Sequence, residues 1–181
     1  MVLPDLLSMG FWMMLLALFL AGLLAACGNE GSRSSAIVPL EIDRSTSCAL
    51  DGMILADYPG PKAQMHYAGR AEPDWFCDTI EMFSIYLNPE QARAITALFV
   101  QDMGKAEWDH PQGHWIDART AFYVFGSKRL GGMGPTAASF ASEADARAFA
   151  DSLDPQLEVA VYPVQAYSTL GWMNWAGGDP L

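Results

Sequence analysis

The chain has 181 residues and a formal net charge of −11; 51% of its residues are hydrophobic and 12% aromatic. That acidity leaves no electrostatic footprint for nucleic acid or an anionic lipid surface, and the apolar content argues against disorder. The length suits one ordinary domain or two small ones.

Gly10 to Ala26 is a 17-residue run without a charge, at the short end for a membrane span. It closes on Leu24-Ala25-Ala26-Cys27, followed by polar Gly28 to Ser35. The pattern resembles the lipobox of bacterial lipoproteins, in which small residues fit the signal peptidase and the cysteine thiol receives a diacylglycerol. The expectation is a lipoprotein signal peptide over 1–26, lipidation at Cys27 and a flexible tether over 27–43. The protein would then sit in the periplasm, lipid-anchored to a bacterial membrane, inner or outer. A plain signal in which Cys27 is incidental is the alternative. Met1 to Met9 contains one Asp and no Lys or Arg, where the start of a secretory signal is usually basic.

Beyond the leader, Lys62 to Tyr67 reads as a strand with Ala63, Met65 and Tyr67 on one face and Gln64 and His66 on a polar one. Asp78-Thr79-Ile80-Glu81 is a helix start, Asp78 capping and Glu81 able to reach back; the helix should run through Leu87. Asn88-Pro89-Glu90-Gln91 predicts a second helix with an apolar stripe of Ala92, Ile95, Leu98 and Phe99. Lys105 to Gly113 reads as a loop, Trp115 to Phe125 as one strand and Gly126 to Pro135 as a glycine-rich loop around Met133. Ser142-Glu143-Ala144-Asp145 opens a third helix, and Leu157 to Val164 suits a closing strand. The tail over 166–181 is rich in Trp.

Phe76-Cys77-Asp78-x-x-Glu81 is echoed by Phe140-Ala141-Ser142-x-x-Asp145, each after strand residues. The echo suggests two similar αβ units, over about 44–104 and 105–165, and the fold class expected is α+β: small antiparallel sheets with helices packed on them.

With Cys27 assigned to lipid, Cys48 and Cys77 remain. In an oxidising compartment they invite a disulfide; the alternative is a thiol kept for chemistry. Cys48-x4-Met53 and Cys77-x4-Met82 share a spacing, and thiolate with thioether is a soft donor set that selects Cu(I). Met53 follows Gly52, and Met133 sits in Gly131-Gly132-Met133-Gly134, where glycines leave a side chain open. Met65 and Met82 fall in regular elements and read as packing. Asp51 is either a carboxylate near the thiolate or an ordinary turn residue. His66, His110 and His114 read as surface residues rather than a zinc site, and no Cys-x-x-Cys knuckle, phosphate loop or nucleophile elbow is present.

Cys48-x-x-Asp51-Gly52-Met53, Asp57-Tyr-Pro-Gly-Pro-Lys62-Ala-Gln64, Trp75-Phe76, Asp78-Thr79-x-Glu81-Met82-Phe83, Trp115-Ile-Asp-Ala118, Tyr123-Val124, Met133-Gly134-Pro135 and Ser139-Phe140-Ala141 together resemble the NosL family. These are accessory lipoproteins of nitrous oxide reductase systems, and the likeness spans roughly residues 44 to 165. The resemblance implies a fold of two similar ββαβ-type units and a Cu(I) chaperone rather than an enzyme. Cys48, Met53 and Met133 would be sulfur ligands, with Asp51 assisting. Its partner would be nitrous oxide reductase or its ABC-type maturation complex, and dimerisation around a shared ion stays open. Cys77 lies outside the family pattern. Two readings from other classes remain: a structural lipoprotein stapled by a Cys48–Cys77 disulfide, and a thiol-dependent enzyme using Cys48, for which no neighbouring base is evident.

Overall fold

The computed structural model describes residues 36–88 and 90–153, and the backbone of 160–163. The leader, Cys27, Pro89, the tail and the ends of the expected closing strand lie outside the described residues. Among the described residues, nine strands and two helices follow a 3₁₀ turn at Leu55–Asp57. They are β1 (Ala63–Tyr67), β2 (Asp74–Phe76), α1 (Thr79–Tyr86), β3 (Ile95–Gln101), β4 (Trp115–Asp117), β5 (Phe122–Phe125), β6 (Leu130–Gly131), β7 (Gly134–Pro135), β8 (Ala138–Phe140), α2 (Glu143–Ser152) and β9 (Ala160–Pro163).

All pairings are antiparallel. One sheet runs β2-β1-β3-β4, a second β8-β5-β9, and β6 pairs with β7 as a two-stranded hairpin. The expected duplication is visible in this order. In each large sheet the first strand is central, the next pairs on one side, a helix follows, and the strand after the helix pairs on the other. The echoed motif marks the same junction twice. Asp78 accepts the Ile80 N–H at 2.8 Å and Ser142 Oγ accepts the Asp145 N–H at 3.1 Å, so each helix starts on a side-chain cap.

Three expectations need correction. The helix expected after Asn88 is absent: Ile95–Gln101 is strand β3, bonded to β1 and β4. Its Ile, Thr, Phe and Val suit a pleated sheet, and a short apolar run has no decisive period of its own. Trp115 to Phe125 is two strands in different sheets, because Asp117 accepts the Arg119 N–H at 2.8 Å and turns the chain. Finally, His66 is buried. Both faces of β1 are covered: Gln64 exchanges two hydrogen bonds with the Leu40 backbone, His66 Nε2 lies 2.9 Å from Gln64 Oε1, and Phe99 meets the imidazole edge-on. Burial holds the His66 pKa below its ordinary value.

The main core joins both sheets. Met65, Met82, Phe83, Leu98 and Val100 pack with Tyr123 and Phe125, while Val124, on the opposite face of β5, packs with Trp108, Phe140 and Ala146. Tyr123 also donates to the Ala118 carbonyl at 2.8 Å.

Candidate metal centre

Residues 46–55 form a tight loop that ends beside α1. Ser47 bridges Ile54, the Cys48 N–H donates to Met53 O at 2.8 Å, and Gly52 N–H returns to Cys48 O at 3.0 Å. Gly52 adopts φ 78°, a conformation that favours glycine. Asp51 Oδ1 accepts the Met53 N–H at 2.9 Å, fastening the turn. A further bond, Ala49 N–H to Trp75 O at 2.8 Å, ties the loop to β2 and brings Cys48 to Cys77 at the start of α1.

Cys48, Cys77 and Leu55 form a small buried cluster with Met53, Ile42 and Trp75 half-buried against it. Each of Cys48, Asp51, Cys77 and Glu81 offers a donor atom, and these atoms all lie within 4.8 Å of one another. Both cysteines are free thiols, so the Cys48–Cys77 staple is not present. Both point at one atom: Glu81 Oε2 accepts from Cys77 Sγ at 3.2 Å and from Cys48 Sγ at 3.5 Å. Glu81 therefore faces the sulfurs instead of reaching back to complete the helix cap.

Electrostatics hold the thiols protonated in the metal-free protein. Burial pushes Cys48 above its ordinary pKa, opposed by the backbone N–H groups of Leu50, Cys77 and Asp51. Burial raises Cys77 further, with the hydrogen bond to Glu81 and the charge of that carboxylate acting the same way. Behind Cys77 stands Lys62, 1% exposed, whose Nζ donates to the carbonyls of Pro59, Gly60 and Cys77 at 2.8, 3.0 and 3.3 Å. Burial lowers its pKa to about 8, while Cys77, Asp78 and Glu81 pull the other way.

The β6–β7 hairpin closes over this cluster through glycines. A Cβ on Gly132 would lie 2.9 Å from Cys77 O and 3.2 Å from Cys77 Sγ. One on Gly131 would collide with Asp78 Oδ2, and one on Gly60 would lie 2.8 Å from Gly131 Cα. Met133, at the hairpin tip, is 54% exposed.

The four residues singled out from sequence thus fall in two groups. Cys48, Asp51 and Met53 share the loop, while Met133 comes from a hairpin seated on Cys77. Sequence reasoning missed Cys77 and Glu81 as members of the site. Met82, which shares its spacing with Met53, is fully buried in the main core, and His110 and His114 are not among the clustered ligands.

The NosL family profile matches residues 39–157, and a curated relative, the copper-binding lipoprotein NosL of Stutzerimonas stutzeri, is 41% identical over 75% of this chain and 71% of its own length. The chain belongs to the NosL family. The copper-binding lipoprotein NosL of Achromobacter cycloclastes is likewise 41% identical, over 70% of this chain and 67% of its own. Among solved structures, the copper chaperone NosL of Shewanella denitrificans superposes with a TM-score of 0.62 at 33% identity, covering 68% of this chain and 91% of that one. The small antiparallel sheets with two helices are thus the family's α+β fold. An aminopeptidase profile also matches, over residues 138–181 only.

Proposed function

We propose that this protein is a lipid-anchored Cu(I) chaperone of the bacterial envelope. It takes the ion on Cys48 and passes it to nitrous oxide reductase or to the ABC-type complex that matures it. The observation that carries this reading is the Cys48 loop, whose buried thiol belongs to the cluster that Met53 packs against, with Met133 next to Gly132 on the hairpin that covers Cys77. Thiolate and thioether together are a soft donor set that favours Cu(I) over harder cations. In this reading Cys48 is the principal ligand, Met53 and Met133 supply thioethers, and Asp51 holds the turn and adds a carboxylate. The exposed Met133 gives a partner's competing ligands a place to begin exchange. The relatives named copper-binding lipoproteins support both the cargo and the acyl anchor at Cys27. A nucleophilic thiol needs a lowered pKa, and burial raises both here, so the protein is read as a carrier and not an enzyme.

The test is an anaerobic titration of Cu(I) against a competing chelator. Cys48→Ser should bind more than about tenfold more weakly, a loss above 1.4 kcal/mol. A Cys48→Ser protein that binds as tightly as the parent overturns the assignment.

A further inference from the structure

Resting on the copper reading above, we infer that Cys77 is a second thiolate ligand, so that this chain holds Cu(I) between two cysteine sulfurs, oriented by Glu81. Three observations converge on it. The first is distance. Two metal–sulfur bonds of about 2.3 Å each can span at most about 4.6 Å between sulfurs, and the Cys48 and Cys77 sulfurs fall within 4.8 Å of each other. An ion can therefore enter between them with little movement of either backbone.

The second is direction. Glu81 Oε2 accepts from both thiols, so both S–H groups are aimed at the same point in the metal-free protein. Loading replaces those protons. Two S–H groups and one Cu⁺ give two Cu–S bonds and two released protons, with no change of oxidation state at copper or sulfur. Glu81, half-buried, connects that point to solvent.

The third is charge. Two thiolates and one Cu⁺ make a unit of net charge −1. A buried anion needs a counter-charge, and the Lys62 ammonium, hydrogen-bonded to the Cys77 carbonyl, stands beside it. Lys62 also faces Asp78 and Glu81, so the added charge of a second thiolate falls where a cation is already built in.

Glycine at 132 fits the same arrangement, since any side chain at that position would press on the Cys77 sulfur. Cys77 thereby differs from a cysteine that merely fills a core: it shares an acceptor with the other thiol, it is backed by a cation, and its cover is a hairpin without side chains at the contact.

The experiment uses the full-length chain in mild detergent, reduced and anaerobic, in a Cys27→Ser background, so that Cys48 and Cys77 are the only thiols of the three cysteines. Cd(II) serves as a probe whose sulfur-to-metal charge-transfer band counts thiolates, and Cu(I) is titrated alongside against a chelator. The parent should give about twice the cadmium band of either Cys48→Ser or Cys77→Ser. Cys77→Ser should bind Cu(I) at least about tenfold more weakly. A Cys77→Ser protein with the parent's band and affinity, beside a weakened Cys48→Ser, overturns this inference and leaves the copper reading standing. Parent-like affinity in both variants overturns both. Should Cys77→Ser lose its cooperative thermal transition, Cys48→Ser decides: half the parent's band sustains Cys77 as a ligand, and a vanished band refutes it.

Discussion

Cys48 and Cys77 look alike in the sequence, each five positions ahead of a methionine, yet their surroundings separate their partners. Met53 packs against the cluster that holds Cys48 because Gly52 and Asp51 turn the chain back, whereas Met82 lies on the inner face of α1 and is consumed by the core. The soft character of Cys48 and Met53 could be read directly, since Gly-Met in a turn has no packing period. Cys77 could not be read this way. Its signal was the i, i+4 pair Cys77 and Glu81 at a helix start, where a capping role for the acid competes with a liganding one. The thiol pKa values supply a test at this scale. Each thiol is protonated in the neutral range and must lose its proton to bind metal, so the apparent Cu(I) affinity rises with pH. Between about pH 6 and 8, log K should climb by about two per pH unit if both thiols bind, and by one if only Cys48 does. A flat profile contradicts thiolate ligation.

At the scale of elements, α1 carries the site because it is capped where it begins. Asp78 is 1% exposed; one oxygen accepts the Ile80 N–H, and the other has no hydrogen bond of normal geometry. Burial lifts its pKa to about 6, against the helix N–H groups and Lys62. With the folded value above the unfolded 3.8, the folded state holds more protons between about pH 4 and 6, so stability falls as pH rises through that window. The shift corresponds to about 3 kcal/mol. Asp78→Asn keeps an acceptor for Ile80 and removes the buried charge, and its denaturation midpoint in the metal-free state should lose that pH dependence. An unchanged slope contradicts this. Both caps were legible because an Asp or Ser followed three residues later by an acid is a local chemical signature. Strand β3 was not, because Ile95, Leu98 and Phe99 fit a helical stripe as well as a pleat. Only the hydrogen bonds from β1 and β4, remote in sequence, decide between them.

For the whole molecule, the duplicated strand order was foreshadowed by one repeated junction, but the shared core was not. Strand β5 serves two cores through its alternation, Tyr123 and Phe125 on one side and Val124 on the other, and no local pattern announces which sheet each face will meet. Leu98, 1% exposed in the joined core, tests that union. Leu98→Ala should cost about 2–5 kcal/mol in a single unfolding transition, whereas two separable transitions would show independent units. Cargo should act in the opposite sense. Cu(I) at a hundredfold excess over Kd adds about 2.7 kcal/mol, a rise in Tm on the order of 10 °C for a domain of this size. No shift at saturation contradicts a folded-state site.

Gly60 rests on the Gly131 backbone, Gly131 on the Asp78 and Thr136 side chains, and Gly132 on the carbonyl and sulfur of Cys77, each with no side chain of its own to act as a cushion. The seat is close: a Cβ on Gly132 would lie 2.9 Å from the Cys77 carbonyl oxygen. Any side chain introduced at these three positions would thus wedge the hairpin off its seat while both thiols keep their own chemistry.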